Sequence, residues 1–434
     1  MRLIVAILAS LIVAGTADIE LEGGRTTLAQ YGATDCRTFL PYSPDPDHIW
    51  NRLQRALIVR TGPDGSLWGC DEVDPLLWFD TKYVLTGERH TGAMQALDEF
   101  IETHAERLVS DPLKRALLQR NLWAVFLWLT RGETFKAQRE RLEQRIATVM
   151  TSIALTPEEI VRLPGNFSVD AEAAGGLELP AVDRGWALIS RDDRNPAAPI
   201  HAAALPRSVF LVYLRMPAGT NADTYIEEWR RFSRTHTDDR CDEHPCFPPQ
   251  LPVGTDVALV RRAMLIDTAA RPRVSPLTES VQLRRYAAVD PSMPVFVRRP
   301  ADQLRAEFRL SQRALLKGES SLRVVGPDES DFPQFATQGQ DWFEEREAPL
   351  VRAFTRQKPY GPTTNTLQSC VPCHSGPGVM SFTTYSRSHV VAPGEPMFVS
   401  IHRGDAGQEI AKQLEALLRD PSWRKLQPLM APLR

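Results

Sequence analysis

Two cysteines and a histidine near the C-terminus have the types and spacing for covalent cofactor chemistry, in the run Cys370-Val371-Pro372-Cys373-His374. Each thiol can form a thioether with one vinyl group of a haem, and the adjacent imidazole can then bind the iron. We therefore predict a haem held by Cys370 and Cys373, with His374 as its proximal iron ligand.

The same run resembles the attachment motif of c-type cytochromes, and the resemblance implies haem c as the cofactor. The order of segments also resembles a small class I cytochrome: a predicted helix over 341–351, then the motif, a loop and a last predicted helix over 405–418. In that family the first helix usually runs directly into the motif, whereas here a loop over 358–366 intervenes. The haem therefore lies either in a cytochrome c-like domain or against the middle of the chain.

The distal iron ligand is a choice among several downstream residues. Cytochromes of this type usually present a methionine in the loop before the final helix, which favours Met397. His389 and His402 are close alternatives, and methionine would give a higher reduction potential than a second histidine. Met380 and Met430 are weaker candidates, because Met380 closely follows His374 and Met430 is near the chain end.

The motif cysteines also resemble the Cys-x-Pro-Cys of thioredoxin-like proteins, in which the first thiol attacks disulfides. A thioredoxin-like site follows an apolar strand and opens a long helix, whereas polar residues 363–366 precede this motif and residues 375–378 would stop a helix. This context favours haem. The alternative is an exported structural or interaction protein without haem, in which Cys370 and Cys373 form a disulfide or a redox thiol pair; a zinc site is a further option.

The N-terminus predicts export. Arg2, an apolar run over 3–14 and the small residues Gly15, Thr16 and Ala17 form the pattern of a cleaved signal peptide. A membrane anchor is the alternative, but the run is shorter than the roughly 20 residues that span a bilayer. We therefore expect a periplasmic or extracellular protein without an integral membrane segment in the mature chain.

The six cysteines suit an oxidising compartment. With Cys370 and Cys373 assigned to haem, the local pairing of the others is Cys36 with Cys70 and Cys241 with Cys246, although four cysteines allow three connectivities. The segment 241–246 also contains a histidine and could bind zinc, but a disulfide is favoured.

The predicted fold class is α+β. Asp111 and Pro112 open a predicted helix with apolar residues at helical spacing, and further helices are expected over 134–153 and after the capping box of Thr156 and Glu159. Strands are predicted over 207–214, 256–266 and 278–286, with a turn-rich segment over 267–276 and a helix over 223–233.

We predict three domains after a signal peptide over 1–17. They are a helical domain over 18–165, a mixed α+β domain over 166–335 and a small, mainly helical cytochrome c-like haem-binding domain over 336–434.

The formal net charge of −3 offers no basic field for nucleic acid. The chain before the C-terminal part contains no phosphate-binding loop and no nucleophile motif. The single histidines of that upstream part receive no role; they are His48, His90, His104, His201 and His236. We predict electron transfer through haem c, with the upstream domains binding a redox partner protein, a small-molecule electron donor or acceptor, or a substrate. Whether the chain is an enzyme, such as an oxidoreductase component, stays open.

Overall fold

A computed structural model gives the fold of the protein. It describes residues 36–61, 67–71, 83–167, 172–173, 177–235, 248–288, 303–327, 329–331, 364–365, 367, 374, 376, 378–386 and 399–430. The predicted signal peptide, the predicted helix over 341–351 and the Cys241–Cys246 pair lie outside these residues.

Helices make up the N-terminal and C-terminal parts of the described chain. The α-helices are α1 Ile49–Leu57, α2 Gly87–Glu102, α3 Pro112–Thr130, α4 Lys136–Ser152, α5 Pro157–Val161, α6 Pro199–Ala204, α7 Ala222–Thr235, α8 Gln312–Leu316, α9 Val379–Ser386, α10 Ala406–Arg419 and α11 Pro421–Met430. Short 3-10 helices cover Tyr83–Leu85, Ala105–Leu108 and Val182–Arg184.

A seven-stranded antiparallel sheet forms the middle of the protein. The strands of the described chain are β1 Arg60–Thr61, β2 Leu67–Trp68, β3 Glu172–Ala173, β4 Leu177–Glu178, β5 Trp186–Arg191, β6 Ser208–Arg215, β7 Asp256–Ile266, β8 Pro272–Tyr286, β9 Gln303–Leu310, β10 Leu322–Val324, β11 Ser330–Asp331, β12 Thr364–Asn365 and β13 Ile401–Arg403. The large sheet has the order β10-β9-β8-β7-β6-β5-β13, and the other strands form two-stranded pairs. The fold is therefore α+β.

Alternate residues of each strand point to opposite sides of the sheet, and both of these faces are buried. The first face, which includes Leu211, Val260 and Val281, shares a core with α2, α3, α4, α10 and α11. The second face, which includes Val212 and Leu259, packs with α6, α7 and α9. The continuous apolar run of β6 reflects this burial on both sides.

The predicted helix starts and central strands are confirmed. Asp111 caps α3 by accepting from the main-chain nitrogens of its first turn, with Pro112 at the first helical position. Thr156 and Glu159 form the capping box of α5. Helices α4, α7 and α10 and strands β6 and β7 lie within two residues of their predicted bounds.

Other elements differ from the sequence-based expectation. Strand β8 begins at Pro272, within the segment expected to be a turn, and the ladder of β7 and β8 has a register shift near Arg262 that accommodates Pro276. The stretch expected to be a loop between the motif and the last helix contains α9. Helix α11 was not expected; it begins at Pro421 and buries Met430.

A buried ionic cluster links α3 to the sheet. The carboxylate of Glu279 in β8 binds Arg120 of α3 at 2.5 Å, Arg207 at 2.6 Å and Arg261 of β7 at 2.9 Å. It also accepts a hydrogen bond from Ser208 at 2.5 Å. Burial opposes ionisation of Glu279, but the surrounding guanidinium groups outweigh burial and hold its pKa well below the usual value.

The Cys36–Cys70 disulfide is present, with Cα atoms 5.5 Å apart, and it is consistent with an oxidising compartment. None of the helices in the described part of the chain combines the length and apolar character needed to cross a bilayer.

Contacts cross the predicted domain boundaries. Strand β13 pairs with β5, and α11 packs against α3 and α4. The described residues between Tyr31 and Arg434 cluster as one compact unit. The boundaries at residues 165 and 335 stay predictions.

Candidate functional site

His374 is the described member of the predicted haem motif, and only 3% of its surface is exposed. It lies just before α9, next to the second face of the sheet. Cys370, Cys373, His389 and Met397 lie outside the described residues. The structure therefore provides the surroundings of the imidazole.

The chain around His374 is fixed to the start of β9. The side-chain nitrogen of Gln303 donates to the main-chain oxygens of both His374 and Gly376 at 2.9 Å. Gly376 packs closely on α9, since a Cβ atom there would lie 2.9 Å from the Cβ of Met380. The residues after the motif are thus held between β9 and α9.

Hydrogen bonds determine which nitrogen of the His374 ring carries a proton. Nδ1 lies 2.5 Å from the hydroxyl oxygen of Thr384 and 3.3 Å from the main-chain oxygen of Ser381. The Thr384 hydroxyl donates its own proton to Ser381 at 2.6 Å, so it accepts from His374. Both contacts therefore require a proton on Nδ1. In the neutral ring, Nε2 then keeps the lone pair that a metal ion needs.

Two aromatic rings surround the imidazole of His374. The ring of Tyr385 in α9 lies 4.3 Å away and that of His201 in α6 lies 5.9 Å away, both measured between ring centroids. The centroids of His201 and Tyr385 are 6.0 Å apart. His201 is therefore about equally far from the rings of His374 and Tyr385, beside the pair that these two rings form. The fold thus brings together two histidines that are far apart in the sequence.

Both buried histidines are held in the neutral form. Burial and then the positive charge of Arg284 keep the pKa of His374 well below its usual value. Burial, followed by Arg284 and Arg261, lowers the pKa of His201 to about 4. Neutral imidazole is the form that can bind a metal ion.

The structure separates His402 and Met430 from His374, whereas Met380 lies on the same side of the sheet. The His402 ring in β13 lies 2.8 Å from the carboxylate of Asp192, and strand alternation places it opposite Ile401, which packs on the second face. Met430 lies in the core of the first face, across the sheet from His374. Met380 is partly buried against the core of the second face, on the same helix as Tyr385.

His201, Thr384 and Arg284 have no role in the predictions from the sequence. His201 follows Pro199 at the start of a six-residue helix, and nothing near it has a ligand motif. Thr384 had a weak signal, because it lies ten residues after His374 in an unrecognised helix whose apolar residues Val379, Phe382 and Tyr385 recur at helical spacing. Arg284 had none, because its role depends on strand register.

Comparisons with known protein families, characterised proteins and solved structures gave no match to this chain. Within the described residues, no group of three or more histidine, cysteine, aspartate and glutamate side chains could hold a metal ion.

The described residues fit a haem iron ligand by three criteria. The His374 ring is buried and neutral, its Nδ1 proton is fixed by Ser381 and Thr384, and its Nε2 has no hydrogen-bond partner within the described part of the chain. A hydrogen bond from the other ring nitrogen to a main-chain oxygen is the usual support for a ligating histidine. The positive charge of Arg284 close by suits a cofactor that carries carboxylates.

Proposed function

We propose that the protein is an exported electron-transfer protein with one covalently attached haem c. Cys370 and Cys373 form the thioethers, and His374 binds the iron through Nε2. The observation that carries the proposal is the arrangement of His374, whose Nδ1 donates to Ser381 and Thr384 and so keeps Nε2 available.

When bound, the haem iron changes between its ferric and ferrous states and so carries one electron. The chain's own residues orient the ligand and exclude water. Ser381 and Thr384 fix the plane of the imidazole, and Gln303 holds the main chain at His374. The buried ring of Tyr385 lies against the imidazole, and the ring of Phe382 packs in turn against Tyr385.

The cofactor site belongs to the second face of the sheet. His374 interacts with α9 and with Gln303 of β9, whereas the C-terminal helices α10 and α11 pack in the core of the first face. Of the two arrangements that the sequence left open, this supports haem against the middle of the chain. In this arrangement, the resemblance to c-type cytochromes is limited to the attachment motif.

The upstream part of the chain supplies the partner surface in this proposal. A simple carrier needs only about a hundred residues, so the long preceding chain suggests recognition of a redox partner protein or a small-molecule donor or acceptor. The Cys36–Cys70 disulfide supports a periplasmic or extracellular location.

Covalent haem is tested by producing the chain with its signal in a host equipped for cytochrome c maturation. The pyridine haemochrome spectrum of the purified protein is recorded after extraction with acidified acetone, which removes haem that is not covalently bound. We expect one haem per chain in the wild type and none in the Cys370→Ser/Cys373→Ser variant. The control is His402→Ala. The wild-type His402 imidazole contacts Asp192, so this substitution should leave the haem content unchanged.

A colourless wild-type protein would contradict the proposal. Counting free thiols with and without reductant would then test the alternative in which Cys370 and Cys373 form a disulfide or a redox thiol pair.

A further inference from the structure

Ser381 of α9 binds both the ring and the main chain of His374. Its main-chain oxygen lies 3.3 Å from Nδ1, and its hydroxyl donates to the main-chain oxygen of His374 at 2.9 Å. Gln303 of β9 donates to that same main-chain oxygen at 2.9 Å. The orientation of the imidazole therefore depends on where Ser381 lies and on where its hydroxyl points.

Tyr286, the last residue of β8, determines where the Ser381 hydroxyl points. Its phenol donates to Oγ of Ser381 at 3.1 Å, and both side chains are buried. A serine hydroxyl has a single proton, so while it accepts from Tyr286 it keeps that proton for His374. The hydrogen bonds then run in one direction, from the sheet through Ser381 to His374.

We propose that Tyr286 is a positioning residue for the iron ligand and acts through Ser381; this rests on the haem function proposed above. His374 is thereby tied to two neighbouring strands, to β8 through Tyr286 and Ser381 and to β9 through Gln303. Partners of this kind orient ligating histidines, and their loss typically costs about 10- to 100-fold in metal affinity.

Tyr286 is itself firmly placed. Its main-chain nitrogen donates to the oxygen of Thr255 at 3.0 Å, and its main-chain oxygen accepts from the nitrogen of Gly254 at 2.8 Å. Its ring packs in the core of the second face. A side chain that is fixed both by its main chain and by packing can hold a partner within the narrow range that ligation requires.

The phenol also stays protonated. Burial, followed by the neighbouring Tyr385, raises the pKa of Tyr286 above its usual value. Tyr286 therefore remains a donor to Ser381 throughout an acid titration of the haem protein.

The test measures the pH midpoint at which acid removes His374 from the iron, followed in the absorption spectrum of the haem-loaded protein. Protons compete with iron for Nε2, so a weaker bond is lost at higher pH. Tyr286→Phe should weaken the bond about threefold and raise the midpoint by about half a pH unit, and Ser381→Ala should raise it by about one unit. The double variant should match Ser381→Ala, because Tyr286 acts through the hydroxyl that this substitution removes.

Tyr225→Phe is the matched control. Tyr225 belongs to the same buried core, but its hydroxyl donates to the main-chain oxygen of Pro249 at 2.7 Å. This variant also loses one hydrogen bond of a buried tyrosine, and its acid midpoint should equal that of the wild type. Urea unfolding of both tyrosine variants measures their general loss of stability, which should be similar.

The outcomes separate the two proposals. Wild-type protein without covalent haem in the pyridine haemochrome assay overturns the haem function, and the role of Tyr286 with it. If the haem is present, an unchanged midpoint in Tyr286→Phe, or an effect that adds to that of Ser381→Ala, overturns only the role of Tyr286. If Tyr286→Phe does not fold, Ser381→Ala decides the question: a raised midpoint supports the proposal, and a wild-type midpoint overturns it.

Discussion

Arg284 of β8 donates from its Nε to the phenol oxygen of Tyr385 over 3.0 Å, and it also donates to Gln303 at 3.2 Å. One guanidinium group therefore contacts both the aromatic neighbour of His374 and the side chain that holds its main chain. The same positive charge lowers the pKa of His374 and of His201.

If the proposed haem is bound at His374, replacement of Arg284 by glutamine should lower its reduction potential. A positive charge near the iron disfavours the ferric state, and removing it should shift the potential by on the order of 50–100 mV for a separation of about 10 Å and an effective dielectric constant of about 20. The measurement is a spectroelectrochemical titration at pH 7. The matched control is Arg285→Gln, because Arg285 pairs with Asp256 and side-chain alternation places it on the first face. Equal shifts in both variants would contradict the local role of Arg284.

In the proposed haem protein, replacement of Thr384 by valine should weaken the bond between His374 and the iron. The substitution removes the hydroxyl that accepts from Nδ1 at 2.5 Å and leaves only the longer contact to Ser381. Loss of such a supporting hydrogen bond typically costs 10-fold or more in metal affinity, which corresponds to a rise of about one pH unit in the midpoint of acid-induced ligand loss.

An acid titration of the low-spin spectrum measures this midpoint. Thr383→Val is the control, since the Thr383 hydroxyl donates to the main-chain oxygen of Met380 on the same helix. If the midpoint moves equally in both variants, the effect comes from a general change in α9, and the specific role of the Thr384 hydroxyl is contradicted.

Local signals account for what could be predicted from the sequence. The proposed haem motif is contiguous, so Cys370, Cys373 and His374 could be picked out together without knowledge of the fold. The cap at Asp111 and the apolar run of β6 act over a few residues, and both elements formed as expected.

The partners of His374 could not be predicted because they come from distant strands and helices. His201, Arg284 and Gln303 approach the imidazole only through the order and register of the sheet. A single histidine or arginine in a strand or short helix has no spacing that marks it as a neighbour of a particular loop. Helix α9 was missed because the glycines and proline before it indicate a loop, whereas its buried face stabilises a helix.

Replacement of Glu279 by glutamine should destabilise the fold by about 3–5 kcal/mol at pH 7, because it leaves buried guanidinium groups without their carboxylate. The pKa of Glu279 is lowered in the folded state, so its contribution is complete above the unfolded value of about 4.5 and is lost as the pH falls below it. The difference between wild type and variant should therefore shrink from pH 5 to pH 3.

Urea unfolding followed by circular dichroism at pH 7, 5, 4 and 3 tests both statements. The control is Glu415→Gln, since Glu415 pairs with Arg419 at the surface of α10 and should change stability by less than about 0.5 kcal/mol. A constant difference across the pH range would contradict the assigned role of the Glu279 carboxylate.

Removal of the Cys36–Cys70 disulfide should reduce stability by about 2–4 kcal/mol, because the bridge restricts the unfolded chain across a sequence separation of 34 residues. The bridge lies next to Asp71, whose carboxylate accepts from the main-chain nitrogen of Gln312, the first residue of α8, at 2.5 Å. We expect dithiothreitol to lower the urea midpoint of the wild type by more than that of the Cys36→Ser/Cys70→Ser variant. Since both proteins keep the remaining cysteines, an equal response would assign the effect of the reductant to another cysteine pair and would contradict a stabilising role for this bridge.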